Sequence, residues 1–74
     1  MNAKDWIAAY AEKLETAPPT PAEFSVLLDL AGEAAHSSER VAAPVACWLA
    51  ARAGVELDDA LRLARDIDAR PTDG

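Results

Sequence analysis

The stretch Ala35–Leu49, which reads AHSSERVAAPVACWL, contains the only histidine and the only cysteine of the chain. A cysteine and a histidine can act as nucleophile and general base when the fold places the imidazole beside the thiol. Cys47 directly precedes Trp48 on a predicted helix with a strong apolar stripe, and His36 lies across a helix corner. We therefore interpret Cys47 as a small core residue and expect no catalytic residue.

Glu33 and His36 have the E-x-x-H spacing of carboxylate-bridged di-iron bundles. Those sites need two such pairs and two further glutamates, whereas this chain has one histidine. One cysteine and one histidine also cannot supply the four ligands of a structural zinc site. We expect no metal site and no cofactor.

Two interpretations remain open for His36. In the first, His36 lies at the C-terminus of the second helix, where the helix dipole favours a positive charge, and Ser37 and Ser38 cap the next helix. In the second, His36, Arg40 and the two serines join the exposed amides at the start of the third helix to form a site for a small anionic ligand.

Charged residues of alternating sign recur every four positions near the C-terminus, at Asp58, Arg62, Asp66 and Arg70. The spacing predicts ion pairs between residues i and i+4 on a solvated helix face, each worth about 0.2–0.5 kcal/mol. The alternative is a docking face for a protein partner, formed by Asp58, Arg62 and Asp66.

The overall composition excludes several classes of function. The net charge of −6 disfavours binding to nucleic acid and to anionic membranes. No apolar run approaches the roughly 20 residues of a membrane span, and the N-terminus lacks the pattern of a signal peptide. A single cysteine cannot form an internal disulfide, which favours a cytoplasmic location.

Helix signals divide the chain into four segments. The first helix is predicted over about 3–16, with Asn2 as its N-cap and the APPTP stretch as its end. The second is predicted over 21–36, where Thr20 and Glu23 form a capping box around a proline at the first helical position. Gly32 lies inside this helix, and we interpret it as a close helix crossing.

The third helix is predicted over 41–53, because Pro44 is tolerated only in a first turn and Gly54 is a suitable left-handed C-cap. The fourth is predicted over 57–69, ending before Pro71. Residues 1–70 should form a single helical domain and residues 71–74 a frayed tail.

The predicted fold is therefore an all-α, compact bundle of four short helices. Side chains at helical spacing form an apolar stripe on each helix, and these stripes should meet in one core. The predicted core consists of Trp6, Phe24, Leu27, Leu28, Val45, Trp48, Leu49, Leu61 and Ile67.

A family resemblance extends over nearly the whole chain. Its most specific residues are His36, Arg40 and Pro44, and the stretches DWIAAYAEKL and GVELDDALRLA are also similar. The motif that carries the resemblance reads Leu30-Ala31, Ala35-His36, Arg40, Ala42-Ala43-Pro44 and Trp48-Leu49. The chain resembles a small bacterial helical family of unknown function that occurs alone or fused to the molybdenum cofactor guanylyltransferase. Glu56 departs from the pattern, because such helices commonly begin with serine or aspartate.

The resemblance implies a non-catalytic accessory or protein-interaction domain beside the biosynthesis of the molybdenum cofactor, molybdopterin guanine dinucleotide. The guanylyltransferase is then the first candidate partner. A homodimer is the rival expectation, because small helical domains often complete their cores by pairing. An anionic-ligand-binding module at the His36/Arg40 corner is the alternative function.

Overall fold

A computed structural model describes residues 1–68 of the chain, and four α-helices account for most of them. The helices are α1 (Ala3–Lys13), α2 (Pro21–Ser37), α3 (Ala42–Ala53) and α4 (Leu57–Asp68). No strand occurs in this part of the chain, which confirms the predicted all-α bundle of four helices. Arg70, Pro71 and the predicted tail at 71–74 lie outside the described residues.

Helix α1 begins as predicted and ends earlier than predicted. The Oδ1 atom of Asn2 accepts a hydrogen bond of 2.8 Å from the backbone N–H of Asp5, which confirms Asn2 as the N-cap. The helix ends at Lys13 because Glu15 adopts the left-handed conformation, with φ at 60°. The amides of Glu15 and Thr16 then donate back to the last turn, in the pattern of a Schellman motif.

Helix α2 has the predicted capping box. The N–H of Thr20 donates to Oε1 of Glu23 at 2.8 Å, and the N–H of Glu23 donates to Oγ1 of Thr20 at 3.1 Å. Helix α3 ends at Gly54, whose φ of 73° confirms the predicted left-handed cap. Local sequence signals therefore fix these helix ends.

Helix α2 is the centre of the fold, because α3 and α4 both pack against it. The core cluster consists of Leu30 on α2 and Ala60 and Leu61 on α4. Partly buried apolar residues surround this cluster, namely Val26, Cys47, Ala50 and Ala64. Among residues 1–68, α1 is not extensively packed against another helix, although Ala11 is buried.

The predicted core is largely wrong for the single chain. Leu61 is buried, and Phe24 and Leu27 are half-buried. The other members are more than half exposed, namely Trp6, Leu28, Val45, Trp48, Leu49 and Ile67. The inter-helix contacts use small residues such as Ala50 and Ala60, so the bulky side chains of the same helices lie outside the contact.

None of the helices in the described part of the chain has the length and apolar character needed to cross a bilayer.

Gly32 does not mark a close helix crossing, so this prediction is also wrong. A Cβ atom built on Gly32 has no neighbour within 4 Å outside its own helix backbone. The Gly32→Ala variant should therefore gain stability, by up to about 1 kcal/mol, because alanine loses less backbone entropy than glycine in a helix. Urea unfolding followed by circular dichroism at 222 nm measures this gain. A loss of stability would mean that another backbone approaches Gly32.

Introducing glycine at one left-handed helix end and removing it from the other should change the stability of the protein in opposite directions. Glu15→Gly should stabilise the protein by about 0.5–1 kcal/mol, because glycine adopts positive φ without steric cost. Gly54→Ala should destabilise it by a similar amount for the same reason. Glu12→Gly, inside α1, is the matched control and should lose about 1 kcal/mol. Thermal unfolding distinguishes these signs, and destabilisation by Glu15→Gly would contradict the assigned end of α1.

Candidate functional site at the corner between α2 and α3

The corner between α2 and α3 places His36 and Arg40 at the protein surface. His36 lies in the last turn of α2, and Arg40 lies in the turn that leads to α3. Both side chains are exposed. Both residues therefore lie at the junction between α2 and α3 and are accessible to solvent.

The serines of the corner bond to α2 rather than to α3. The hydroxyl of Ser37 donates to the carbonyl oxygen of Glu33, and the hydroxyl of Ser38 donates to that of Ala34 at 3.1 Å. The carbonyl of Ala34 also accepts the backbone N–H of Ser38 at 3.2 Å, so the hydroxyl adds a second hydrogen bond to a carbonyl at the end of α2. The expectation that Ser37 and Ser38 cap α3 is therefore wrong. Val41 is the N-cap of α3 and makes no side-chain cap.

The first amides of α3 are already used within the turn. The N–H of Ala42 donates to the carbonyl of Glu39 at 2.9 Å, and the N–H of Ala43 donates to that of Arg40 at 3.1 Å. The third helical residue is Pro44, which has no N–H. An anion at a helix N-terminus depends on free amides, so the corner offers it mainly the two basic side chains.

Cys47 behaves as a structural thiol. It is half-buried and packs against the Leu30–Leu61 cluster. Burial raises the pKa of its thiol, because an apolar environment disfavours the thiolate. A nucleophilic cysteine instead requires a lowered pKa from a nearby positive charge or a helix N-terminus. These features agree with the interpretation of Cys47 as a small core residue.

The side chains that bind metals are dispersed. Among residues 1–68, no three His, Cys, Asp or Glu side chains form a group that could hold a metal ion. Glu33 instead lines an open groove near the end of α2, and His36 is exposed. The E-x-x-H spacing therefore has no further ligands around it in the described part of the chain.

Arg62 on α4 forms its ion pair at a different residue spacing from the predicted one. Arg62 forms an ion pair of 3.6 Å with Asp59, one turn back, rather than with Asp58 or Asp66. Both partners are more than half exposed, so this pair contributes little to stability. The i,i+4 pairing pattern is therefore wrong for Arg62, while Asp58 and Asp66 lie exposed on the same helix.

Trp6 and Trp48, which the sequence predicts in the core, each belong to an exposed pair of side chains. On α3, the guanidinium of Arg52 lies 5.0 Å from the ring centroid of Trp48, a cation–π geometry. On α1, the rings of Trp6 and Tyr10 lie 5.3 Å apart at 34°. The four-residue spacing of each pair is the sequence signal that could have revealed them.

The fold and the corner together define a small helical domain whose reactive side chains are not assembled into a catalytic constellation within residues 1–68. The chain belongs to the family DUF6457, a domain of unknown function, whose profile matches residues 1–70. This assignment confirms that the chain is a member of a family of unknown function. No curated protein and no solved structure matches the chain.

The raised pKa of the Cys47 thiol predicts slow labelling at neutral pH and a labelling profile that is shifted to higher pH. Because the thiolate is the reacting form, labelling by Ellman's reagent should reach half its maximal rate above the ordinary pKa of 9.0. Stopped-flow labelling between pH 7 and pH 11 measures this profile. The matched control is a chain with Cys47→Ala and Ser25→Cys, since Ser25 is exposed on α2. Faster labelling of Cys47 than of the control thiol at pH 7 would contradict the structural assignment.

Proposed function

We propose that this chain is a non-catalytic protein-interaction domain. The observation that carries the proposal is the exposure of large apolar side chains, including both tryptophans, on a domain with a small core. Trp6 is 57% exposed and Trp48 is 56% exposed. Exposed apolar patches on small domains commonly mark surfaces that other proteins cover.

The α3 outer face, which we define as Val41, Trp48 and Arg52, is the proposed docking surface. Tryptophan and arginine are enriched among the residues that contribute most to binding at protein interfaces. The cation–π contact between Arg52 and Trp48 restricts both side chains before a partner arrives. Such restriction lowers the entropy that binding has to remove. Val41 is 70% exposed and extends the apolar part of the same face.

The absence of catalysis is part of the proposal. The thiol of Cys47 has a raised pKa, and the hydroxyls of Ser37 and Ser38 donate to helix carbonyls. Neither type of group is thereby activated as a nucleophile. The unpaired Cys47 also supports a cytoplasmic setting as part of the proposal, because free thiols persist in reducing compartments.

The first candidate partner is the molybdenum cofactor guanylyltransferase. Support comes from the resemblance described above, in which similar domains occur fused to this enzyme. A domain that is covalently attached in some chains often binds the same protein when it is separate, because fusion raises the effective concentration of an existing contact. The proposed role is accessory to the synthesis of molybdopterin guanine dinucleotide.

A second candidate function is binding of a small anion at the corner. The exposure of His36 and Arg40 at one helix junction favours it. The amides of Ala42 and Ala43, which already donate to turn carbonyls, weigh against it. We therefore rank this function below protein interaction.

The Trp48→Ala variant tests the proposed face. Calorimetric titration of the purified guanylyltransferase with this protein should show binding, and Trp48→Ala should weaken it by about 30-fold or more, as expected for a central interface residue. Leu63→Ala is the matched control, because Leu63 is 48% exposed on α4. It should change the affinity less than threefold, since it lies outside the proposed face.

Further results separate the alternatives. Weakening by Arg62→Glu but not by Trp48→Ala would place the interface on the charged face of α4. Weakening by His36→Ala and Arg40→Ala would place it at the corner. A thermal shift with phosphate, guanine nucleotides or pterins would support the anion site, and chemical turnover of any of these would contradict the non-catalytic proposal. No binding of the guanylyltransferase would remove it as the partner.

A further inference from the structure

The described chain exposes more surface than a folded monomer of its mass. The accessible surface is 5998 Å², whereas a monomeric protein of 7.8 kDa exposes about 4,400 Å². Residues 69–74, counted at the surface of an unfolded segment, would explain at most about 900 Å² by the same scaling. An excess of about 700 Å² remains, which is close to the roughly 800 Å² that each partner buries in a standard interface.

Part of this excess accessible surface lines an apolar groove of about 340 Å³. Val45 and Leu49 of α3 form one wall, Ala64 and Ile67 of α4 form the other, and Ala34 of α2 lies between them. Val45, Leu49 and Ile67 are 55%, 54% and 62% exposed. The groove arises because α3 and α4 both pack against α2 and not extensively against each other.

The groove lies between two helices that both pack against α2. In a four-helix bundle, a fourth helix closes the cleft that the other three leave. An amphipathic helix binds such a cleft through residues spaced by three or four positions along one face. The occupant should therefore be a short helix with an exposed apolar stripe.

Helix α1 presents such a stripe. Trp6, Tyr10 and Leu14 are spaced by four residues and are 57%, 51% and 55% exposed. Beside this stripe, Ile7 and Ala8 of α1 line a cavity together with Pro19 and Phe24. This cavity lies at the N-terminal end of α2.

The groove lies near the other end of α2. Glu33, Ala34 and Ser37 belong to the groove, whereas the cavity beside α1 involves Pro21 and Phe24. About ten residues separate these regions, which corresponds to about 15 Å along the helix. No described residue of α1 lines the groove, and the exposed stripe is accessible to a second molecule.

We propose that two copies of this chain form a symmetric dimer in which the Trp6–Tyr10–Leu14 stripe of each copy occupies the α3–α4 groove of the other. A two-fold axis makes both contacts at once, because an isologous interface pairs each surface with its complement on the partner. Lys13 lies beside the stripe, and Glu33 lies in the groove.

The groove adjoins the α3 outer face, because Val45 lies four residues after Val41 and three before Trp48 on the same helix. The dimer is argued from the groove and the α1 stripe alone, so it does not depend on the proposed function. The net charge of −6 on each chain opposes self-association. Salt screens this repulsion, so the dimer should be tighter in 0.5 M sodium chloride than in 0.05 M. An interface formed mainly by ion pairs would show the reverse.

The test measures mass and contact on the full chain. Light scattering and sedimentation between 1 and 200 μM should give twice the mass of 7.8 kDa at the high end. Tyr10→Glu on the stripe and Leu49→Glu in the groove should each weaken the dimer by about 30-fold or more, because a buried charge without a partner is strongly unfavourable. Leu28→Glu is the matched control, since Leu28 is 61% exposed on α2 outside the groove.

Tryptophan fluorescence identifies the contact. In a Trp48→Phe background, Trp6 emission should shift to shorter wavelength in step with the mass, because its ring leaves water. In a Trp6→Phe background, Trp48 emission should not shift. Far-UV circular dichroism of Tyr10→Glu and Leu49→Glu checks that the helices persist, and these two variants lie on different helices, so loss of one fold leaves the other informative.

Three outcomes would overturn the dimer. These are a monomeric mass at 200 μM, a dimer in which Trp6 emission is unchanged, and equal weakening by Leu28→Glu. A strictly monomeric chain that still binds the guanylyltransferase through Trp48 would leave the proposed function intact. A dimer that binds no guanylyltransferase would support the dimer and would remove this enzyme as the proposed partner.

Discussion

The packing of Leu30 against Ala60 and Leu61 is the interaction on which the rest of the fold depends. Leu30 is 2% exposed and lies on the helix that contacts both α3 and α4. Full burial of a leucine side chain contributes about 1.5–3 kcal/mol. Among the described residues no large side chain is fully buried, so this small cluster and the local signals at the helix ends hold the tertiary structure of the single chain.

The helix ends could be predicted from sequence because each depends on a few adjacent residues. Thr20 and Glu23 form their two hydrogen bonds within one turn, and Gly54 adopts positive φ at the end of its own helix. Glu15 escaped prediction because its left-handed conformation is typical of glycine. The core could not be predicted in the same way, since periodicity identifies the apolar side of Trp48 or Ile67 and not whether another helix covers it.

The corner illustrates the same limit for chemistry. His36 and Arg40 both lie exposed near the junction between α2 and α3. The amino-acid sequence could not indicate that the hydroxyl of Ser38 donates to a carbonyl of α2, or that the amide of Ala42 donates to a carbonyl within the turn. The hydroxyl of Ser38 adds to the bond that its own N–H makes to the carbonyl of Ala34, and the amide of Ala42 bonds to the nearby carbonyl of Glu39. Groups used in this way have less capacity left for a ligand.

The packing of α3 and α4 against α2 explains both why small residues lie at the helix contacts and why large residues lie outside them. Alanines at the contacts, such as Ala50 and Ala60, let α3 and α4 approach α2 closely. The same close approach leaves Val45, Leu49 and Ile67 at the margins of the contact, where they form the walls of a groove. The net charge of −6 then opposes non-specific association of these apolar surfaces. An acidic helical domain built in this way favours a partner that is complementary in shape over one that merely offers apolar surface, because only close packing recovers enough energy to exceed the electrostatic repulsion.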